Sequence, residues 1–200
     1  MAEAESTPER IVLASRSPYR ADLLRRLVPD FKQHPADIDE SINAEESPEA
    51  YVGRLSREKA LAVASACDEP ALVIGSDQAA VLDGEILGKP GDLETGVAML
   101  SRAAGHEVRF LTGLCLIDSR FPDRCVEHLD RTRVHFRQFG EDTARRYLER
   151  EPALDCAGSF RCEGLGISLF DGIESEDPTA LIGLPLIAVA RGLRGLGYEI

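Results

Sequence analysis

The chain has 200 residues, of which 44% are hydrophobic, and a formal net charge of −12. This length and hydrophobic content suffice for one well-buried core, so we expect a single α/β domain over residues 9–200 after a mobile tail over residues 1–8. The acidic residues are spread along the chain, which argues against nucleic acid as a partner because a phosphate backbone requires a basic surface.

The five cysteines are widely spaced and include no C-x-x-C pair. An odd number with this spacing favours reduced thiols in a cytoplasmic protein over a disulfide framework or a zinc site. The first ten residues are polar and acidic, which is not typical of a signal peptide, and no apolar run approaches the roughly 20 residues of a membrane span. We therefore expect a cytoplasmic protein with no membrane partner.

The apolar run at residues 11–14 predicts a first buried strand that turns directly into a helix. Ser17 is a favoured N-cap and Pro18 a favoured first helical residue. The N-H groups at such a helix start attract anions, and Arg16 and Arg20 would add full positive charges. These residues alone leave open the alternative that the helix simply begins here and that both arginines are solvated.

A second helix is predicted over residues 48–66, again after a Ser-Pro pair. Lys59 falls on its apolar face, four residues after Leu55 and three before Ala62. A lysine on a packed face either extends its ammonium to solvent or meets an anion. The sequence of the helix does not decide between the two.

The apolar run at residues 71–74 lies between Pro70 and Gly75 and predicts a strand buried on both faces. Asp77 falls just past the carboxyl end of this run, where ligands bind in open α/β sheets, although an aspartate there can also cap a turn. Asp83-Gly84 between apolar pairs predicts a hairpin that brings Lys89 back towards Asp77.

The remaining elements follow from periodicity and capping signals. We predict a helix from Asp92 or Thr95 to Ala104, long strands over 108–117 and 126–136, and helices over 141–149 and after 183–185. The glycines of residues 156–166 are typical of a chain that approaches a ligand closely.

Three separated blocks, LASRSPYRADLL, VIGSDQAAVLDGEILGKP and CAGSFRCEGLGI, together resemble the Maf family of nucleoside triphosphate pyrophosphatases. The resemblance runs from about Ile11 to Leu196. It implies a fold similar to that of the inosine triphosphatases: a curved mixed β-sheet flanked by helices, with two lobes and an active-site cleft between them. It also implies metal-dependent hydrolysis between the α- and β-phosphates, which releases a nucleoside monophosphate and pyrophosphate.

The resemblance assigns roles to residues of all three blocks and of the segments between them. Asp77 matches the catalytic acid, interpreted as the general base for water and as a metal ligand. Glu40 matches a second acid that would help to hold Mg²⁺ or Mn²⁺, since these hard cations prefer carboxylates and phosphate oxygens. The positions expected to cradle the triphosphate are Ser15, Arg20, Lys59 and Lys89.

At three positions this chain differs from the common family pattern. It has Tyr19 where the pattern has arginine, Gln78 where the pattern has threonine and Glu163 where the pattern has glutamine. These differences resemble the branch that acts on 7-methyl-GTP. Methylation at N7 makes the purine cationic, so stacking on Tyr19 would be favourable. Glu163 could accept from the guanine N1-H and the exocyclic amine, and Gln78 could donate or accept a hydrogen bond.

The expected partner is thus a small nucleoside triphosphate, with a divalent metal cation as cofactor. The choice of 7-methyl-GTP depends on only three positions, so dTTP, UTP or another modified nucleotide is an alternative substrate. A nucleotide-binding regulator without hydrolytic activity is an alternative of a different class. The sequence does not determine the oligomeric state, and a homodimer is the assembly to test.

Overall fold

A computed structural model describes Pro8 and residues 10–200 of the chain. The predicted tail over 1–8 therefore lies outside the described residues except for Pro8, which is buried and accepts a 2.5 Å hydrogen bond from the Tyr198 hydroxyl. The strands are β1 (Arg10–Leu13), β2 (Lys32–Gln33), β3 (Ala71–Leu82), β4 (Glu85–Leu87), β5 (Glu107–Asp118), β6 (Cys125–Phe136) and β7 (Phe170–Glu174). The α-helices are α1 (Pro18–Leu24), α2 (Pro48–Ser65), α3 (Leu93–Ala103), α4 (Glu141–Arg150) and α5 (Leu186–Gly195).

The described strands form one open mixed sheet in the order β2-β1-β3-β5-β6-β7, with β4 paired to β3 outside this path. The pairings of β1 with β2 and β3 are parallel, and all others are antiparallel. Helices flank the sheet, as predicted. Among the residues that the structure describes, every helix is too short or too polar to cross a lipid bilayer.

Strand β3 is longer than its apolar start predicts. The expectation that Asp77 follows the carboxyl end of a strand over 71–74 is wrong, because β3 continues to Leu82 and Asp77 pairs with Gly113 of β5. What ends after Ile74 is the parallel neighbour, since β1 stops at Leu13. Asp77 therefore lies past the end of β1, in the interior of β3.

The edge of β3 opposite β5 has a gap between two partners. Strand β1 pairs with residues 71–74 and β4 pairs with residues 80–82. No strand among the described residues pairs with residues 75–79 on that edge. We call this gap the β3 notch. The predicted hairpin at Asp83-Gly84 is confirmed, with φ values of 52° and 86° that fit a type I′ turn, and it returns the chain towards the notch.

Helix α2 lies unusually close to the sheet because two glycines face it. A Cβ atom on Gly75 would lie 2.2 Å from the Ser56 carbonyl oxygen, and one on Gly113 would lie 2.3 Å from Ser56 Oγ. Ser56 Oγ also accepts a 3.0 Å hydrogen bond from the Asp77 backbone N-H. This close approach sets the distance between Lys59 on α2 and the side chain of Asp77.

The buried apolar residues divide into groups on either side of the cleft. One lobe has α1 and α5 on one face of the sheet and α2 on the other. The other lobe packs α3 and α4 around the ends of β5 and β6, with aromatic contacts among Phe110, Phe136, Phe160 and Phe170. The two-lobed arrangement implied by the family resemblance is confirmed.

Two glycines of the region 156–166 serve internal packing. A Cβ atom on Gly164 would lie 2.0 Å from Glu151 Oε1, and one on Gly166 would lie 2.4 Å from the Arg161 carbonyl oxygen. The Gly166 N-H also donates to Glu151 Oε2 at 3.2 Å. At these two positions protein atoms fill the space that a side chain would need.

Replacing Gly75 by alanine tests the contact between α2 and β3. The added Cβ meets helix backbone rather than a flexible side chain, so we expect a loss of about 1–3 kcal/mol in the free energy of unfolding, measured by urea denaturation. The control is Gly53→Ala, at an exposed position within α2, where no atom lies within 4 Å of the added Cβ. This variant should gain about 0.5–1 kcal/mol in the free energy of unfolding. Equal stability of Gly75→Ala and the native protein would contradict the proposed contact.

Candidate active site

A cavity of about 810 Å³ lies between the lobes at the β3 notch. Its wall includes all nine residues that the sequence predicts for the site, so the fold brings together positions spread over almost 150 residues. They are Ser15, Tyr19, Arg20, Glu40, Lys59, Asp77, Gln78, Lys89 and Glu163. Their catalytic and binding roles stay predictions.

The Lys59 ammonium lies between two carboxylates. Its Nζ is 2.6 Å from Asp77 Oδ1 and 2.8 Å from Glu40 Oε1. Lys59 and Asp77 are each only 8% exposed, and burying a charge without a partner is costly. Lys59 therefore meets anions on the packed face of α2 and does not extend to solvent, which decides the question that the helix sequence left open.

Glu40 lies on an irregular segment that α2 holds in place. The Tyr51 hydroxyl donates to the Glu40 carbonyl oxygen at 3.0 Å, and Arg54 donates to the Ser41 carbonyl oxygen at 2.9 Å. Arg54 also binds both carboxylate oxygens of Glu46, at 2.7 and 2.8 Å. These contacts place the Glu40 carboxylate beside the cleft although its side chain is exposed.

The cations of the cleft act on the Glu40 carboxyl. Burial alone would raise the pKa of Glu40, but the hydrogen bond and charge of Lys59, with the charges of Lys89 and Arg20, lower it below its ordinary value. Lys89 is exposed on the cavity wall. It makes no ion pair with a carboxylate among the described residues, so its charge is available to a ligand.

Arg20 occupies the open edge of β3. Its Nη1 donates to the Ser76 carbonyl oxygen and its Nε to the Gly183 carbonyl oxygen, both at 2.8 Å. Burial lowers the pKa of Arg20, while Asp77 and Glu40 oppose this effect. Nη2 makes no hydrogen bond within the described residues, so Arg20 both closes the strand edge and keeps two N-H donors for an anion.

Ser15 follows the end of β1 and is buried, with its Oγ accepting from the Ser17 N-H at 3.1 Å. Ser17 in turn caps α1, where its Oγ accepts from the Arg20 N-H at 3.3 Å. The predicted helix start at Ser17-Pro18 is confirmed. These local hydrogen bonds fix the turn between β1 and α1 against the β3 notch.

The side-chain amide nitrogen of Gln78 is already hydrogen-bonded within the protein. Its Nε2 lies 2.9 Å from the Ala180 carbonyl oxygen, 3.1 Å from the Leu181 carbonyl oxygen and 3.0 Å from Thr112 Oγ1. These acceptors engage the amide nitrogen. Only the carbonyl oxygen of this amide has no hydrogen-bond partner among the described residues, whereas the sequence left both roles open.

Tyr19 and Glu163 lie on the cavity wall near Arg161. The Arg161 guanidinium carbon is 5.3 Å from the centroid of the Tyr19 ring, within the range of a cation–π contact. Burial raises the pKa of Tyr19, and the Arg161 charge opposes this. Glu163 is exposed, and its Oε2 lies 3.4 Å from Cys162 Sγ. An aromatic ring in contact with a cation and an exposed carboxylate thus both lie on the cavity wall.

The carboxylates of the cavity wall are of the type that binds a hard divalent cation. Asp77 and Glu40 each place a carboxylate oxygen within 2.8 Å of the same ammonium nitrogen. Mg²⁺ is usually bound by one or two carboxylates together with substrate phosphates and water. The Asp77 and Glu40 carboxylates therefore match such an ion in ligand type and number, while the two converging oxygens are ion-paired with Lys59.

A family model for Maf-like proteins matches residues 10–196 of the chain. The chain belongs to the Maf family. A protein named 7-methyl-GTP pyrophosphatase from Xanthomonas axonopodis pv. citri (strain 306) is 52% identical over 191 residues, covering 96% of this chain and 98% of that protein. A protein of the same name from Pseudomonas aeruginosa is 51% identical over 193 residues, covering 95% and 98%. Among solved structures, this Maf protein is similar to the Staphylococcus aureus Ham1 protein, with a TM-score of 0.44, 17% identity, and coverage of 67% and 79%.

Several residues that shape the site were not identified from the sequence. Gly113 carried a usable signal, because a glycine inside an apolar strand often marks a close backbone approach. Arg161 stands two residues before Glu163, in a block that the family resemblance quotes, but nothing local indicates its contact with Tyr19. Ser56 and Thr112 act through partners that are distant in sequence and had no local signal.

The clamp between Arg54 and Glu46 predicts a pH-dependent contribution to stability. Hydrogen bonds from Arg54 lower the pKa of Glu46 from 4.5 to about 2. Because the pKa is lower in the folded protein, the ionised Glu46 carboxylate stabilises the fold fully at pH values above 4.5, its pKa in the unfolded chain. This contribution is lost as the pH falls towards 2. The difference in Tm between the native protein and Glu46→Gln should therefore be constant above that range and vanish near pH 2.

The matched control is Glu45→Gln, one residue away, where the native glutamate makes no ion pair among the described residues. Its Tm should follow that of the native protein at every pH. A pH-independent Tm difference for Glu46→Gln would contradict the role of the ionised carboxylate.

Proposed function

We propose that this Maf protein hydrolyses 7-methyl-GTP to 7-methyl-GMP and pyrophosphate. The observation that carries the proposal is the convergence of the nine predicted residues on one cavity at the β3 notch. The names of relatives that are 51–53% identical over nearly the whole chain support the choice of substrate. The cavity volume of about 810 Å³ lies within the usual range for small-molecule sites.

Asp77 is the proposed general base. Its Oδ1 is bound to Lys59, while Oδ2 makes no hydrogen bond within the described residues and is left for a water molecule. That water attacks the α-phosphorus, its proton passes to Asp77, and the bond between the α-phosphorus and the bridging oxygen breaks to release pyrophosphate. Lys59 fixes the orientation of the carboxylate, which a general base requires.

The cationic side chains supply most of the phosphate binding in this proposal. Lys89 and the free Nη2 of Arg20 lie on the cavity wall with no carboxylate partner among the described residues. Preorganised charges of this kind stabilise phosphoryl transfer through positioning and electrostatics. Asp77 and Glu40 would hold a divalent cation, which would offset further negative charge on the triphosphate.

The base is proposed to lie at the other end of the cavity. A cationic 7-methylguanine would stack on the face of the Tyr19 ring that Arg161 does not cover. Glu163 would accept from the guanine N1-H and amine, and Gln78 would accept through its carbonyl oxygen. Each of these interactions uses an acceptor or ring that the fold leaves on the cavity wall.

Replacing Asp77 by asparagine tests the general base. We expect kcat to fall about 10²- to 10⁴-fold, measured as pyrophosphate release from 7-methyl-GTP in the presence of Mg²⁺. Nucleotide binding by calorimetry and the far-UV circular dichroism spectrum should be retained, which separates lost chemistry from lost structure. Unchanged pyrophosphate release would remove Asp77 from this role, and binding without hydrolysis by the native protein would favour the regulator.

Variants at the base end test the substrate. Tyr19→Leu should lower kcat/KM for 7-methyl-GTP relative to GTP by about 2- to 30-fold, the equivalent of about 0.5–2 kcal/mol of cation–π energy, whereas Tyr19→Phe keeps the ring and should retain the preference. The exchange Tyr19→Arg, Gln78→Thr and Glu163→Gln should shift preference away from 7-methyl-GTP. Faster turnover of dTTP or UTP by the native protein would overturn the proposed substrate while leaving the pyrophosphatase activity intact.

A further inference from the structure

Two cysteines and a glutamate form a second cluster of candidate ligands, away from the cleft. The Sγ atoms of Cys115 and Cys125 and a carboxylate oxygen of Glu127 all lie within 4.8 Å of one another. Within the described part of the chain, no other group of three or more such side chains meets this distance. None of the three residues belongs to the cavity at the β3 notch.

The register of β5 and β6 creates this cluster. Cys115 pairs directly with Glu127, and Cys125 pairs with Ile117, two residues further along β5. Alternate residues of a strand share a face, so Cys125 and Glu127 project to the same side as Cys115. This is the side covered by α2. The widely spaced cysteines, which argue against a zinc site by sequence, are thus brought together by strand pairing.

Burial changes steadily across the cluster. Cys115 is fully buried in the apolar layer under α2, Cys125 is half-buried and Glu127 is exposed. Glu127 also lines a groove of about 750 Å³ that runs between α2 and β6 and includes Arg57 and Leu61. The groove thus reaches Glu127, and behind it Cys125 is half-buried and Cys115 is fully buried.

We propose that Cys115, Cys125 and Glu127 form a binding site for a thiophilic divalent cation, with Zn²⁺ as the ligand. Two sulfur atoms and one carboxylate oxygen are a donor set that zinc accepts, and three protein ligands leave the fourth tetrahedral position to water. Softer Cu(I) would not favour the carboxylate, and harder Mg²⁺ would not favour the sulfurs.

The charges around the cluster are compatible with a bound ion. A coordinated thiol is deprotonated by the metal, so two thiolates and Glu127 would together carry more negative charge than Zn²⁺ neutralises. Arg57 lines the same groove as Glu127 and brings a positive charge to it. Arg57 would offset the excess negative charge of the loaded site.

Cadmium titration of the reduced, metal-free full-length protein tests the site directly, because bonds between thiolate and Cd²⁺ absorb in the ultraviolet whereas carboxylate coordination at Asp77 and Glu40 does not. We expect saturation at one equivalent per chain, with displacement by Zn²⁺. Cys125→Ala should lose about half of the absorbance and bind at least tenfold more weakly. Glu127→Gln should bind more weakly and keep the full absorbance at saturation.

The matched control is Cys67→Ala, a half-buried cysteine that follows α2 and whose thiol donates to the Val63 carbonyl oxygen. This variant should bind cadmium as the native protein does. The proposal is overturned if the native protein shows no thiolate absorbance, or if Cys125→Ala retains the native signal. Cys125 and Glu127 are not fully buried, so circular dichroism should show both variants folded, and the test does not depend on replacing the buried Cys115.

Discussion

The ammonium of Lys59 lies inside the protein in contact with Asp77 and Glu40, and the rest of the site depends on this contact. A buried lysine without an anion would be strongly unfavourable, and so would the buried aspartate without its cation. The two charges meet where α2 lies against the sheet at Gly75 and Gly113. The absence of side chains at Gly75 and Gly113 brings the helix backbone against the strands and makes the pair possible.

The pairing pattern of β3 explains why the site lies in the middle of this strand. Strand β1 ends at Leu13 and β4 begins its pairing at Ala80, so residues between them have an unpaired edge. Unpaired backbone groups require other partners, and the Arg20 guanidinium supplies one by donating to the Ser76 carbonyl oxygen. The notch is therefore both a gap in hydrogen bonding and the place where a cation and a carboxylate reach the cavity.

Local signals predicted the fold well, because caps and tight turns are determined by neighbouring residues. Ser17-Pro18, Ser47-Pro48 and Asp83-Gly84 each begin a helix or form a hairpin where the sequence indicates. The extent of β3 was wrong, since its continuation past Ile74 depends on the partner β5 and not on an apolar run. The hydrogen bonds of the Gln78 amide and the proximity of Cys115 to Cys125 likewise depend on how the strands and loops pair. No local sequence pattern predicts this pairing.

Asp77 and Gln78 are neighbours in one strand, so their side chains project to opposite faces of the sheet. Asp77 projects towards α2 and Lys59, whereas Gln78 projects towards Thr112 and the carbonyl groups near Ala180. A continuous sheet would separate the two residues completely. Both reach one cavity because the notch opens the edge between the faces. The proposed general base, Asp77, and the proposed base contact, Gln78, thus lie on the same strand but are supported by residues on opposite faces of the sheet. A substitution at Gln78 can therefore alter the contact with the base without moving Lys59 or the carboxylates that Lys59 holds.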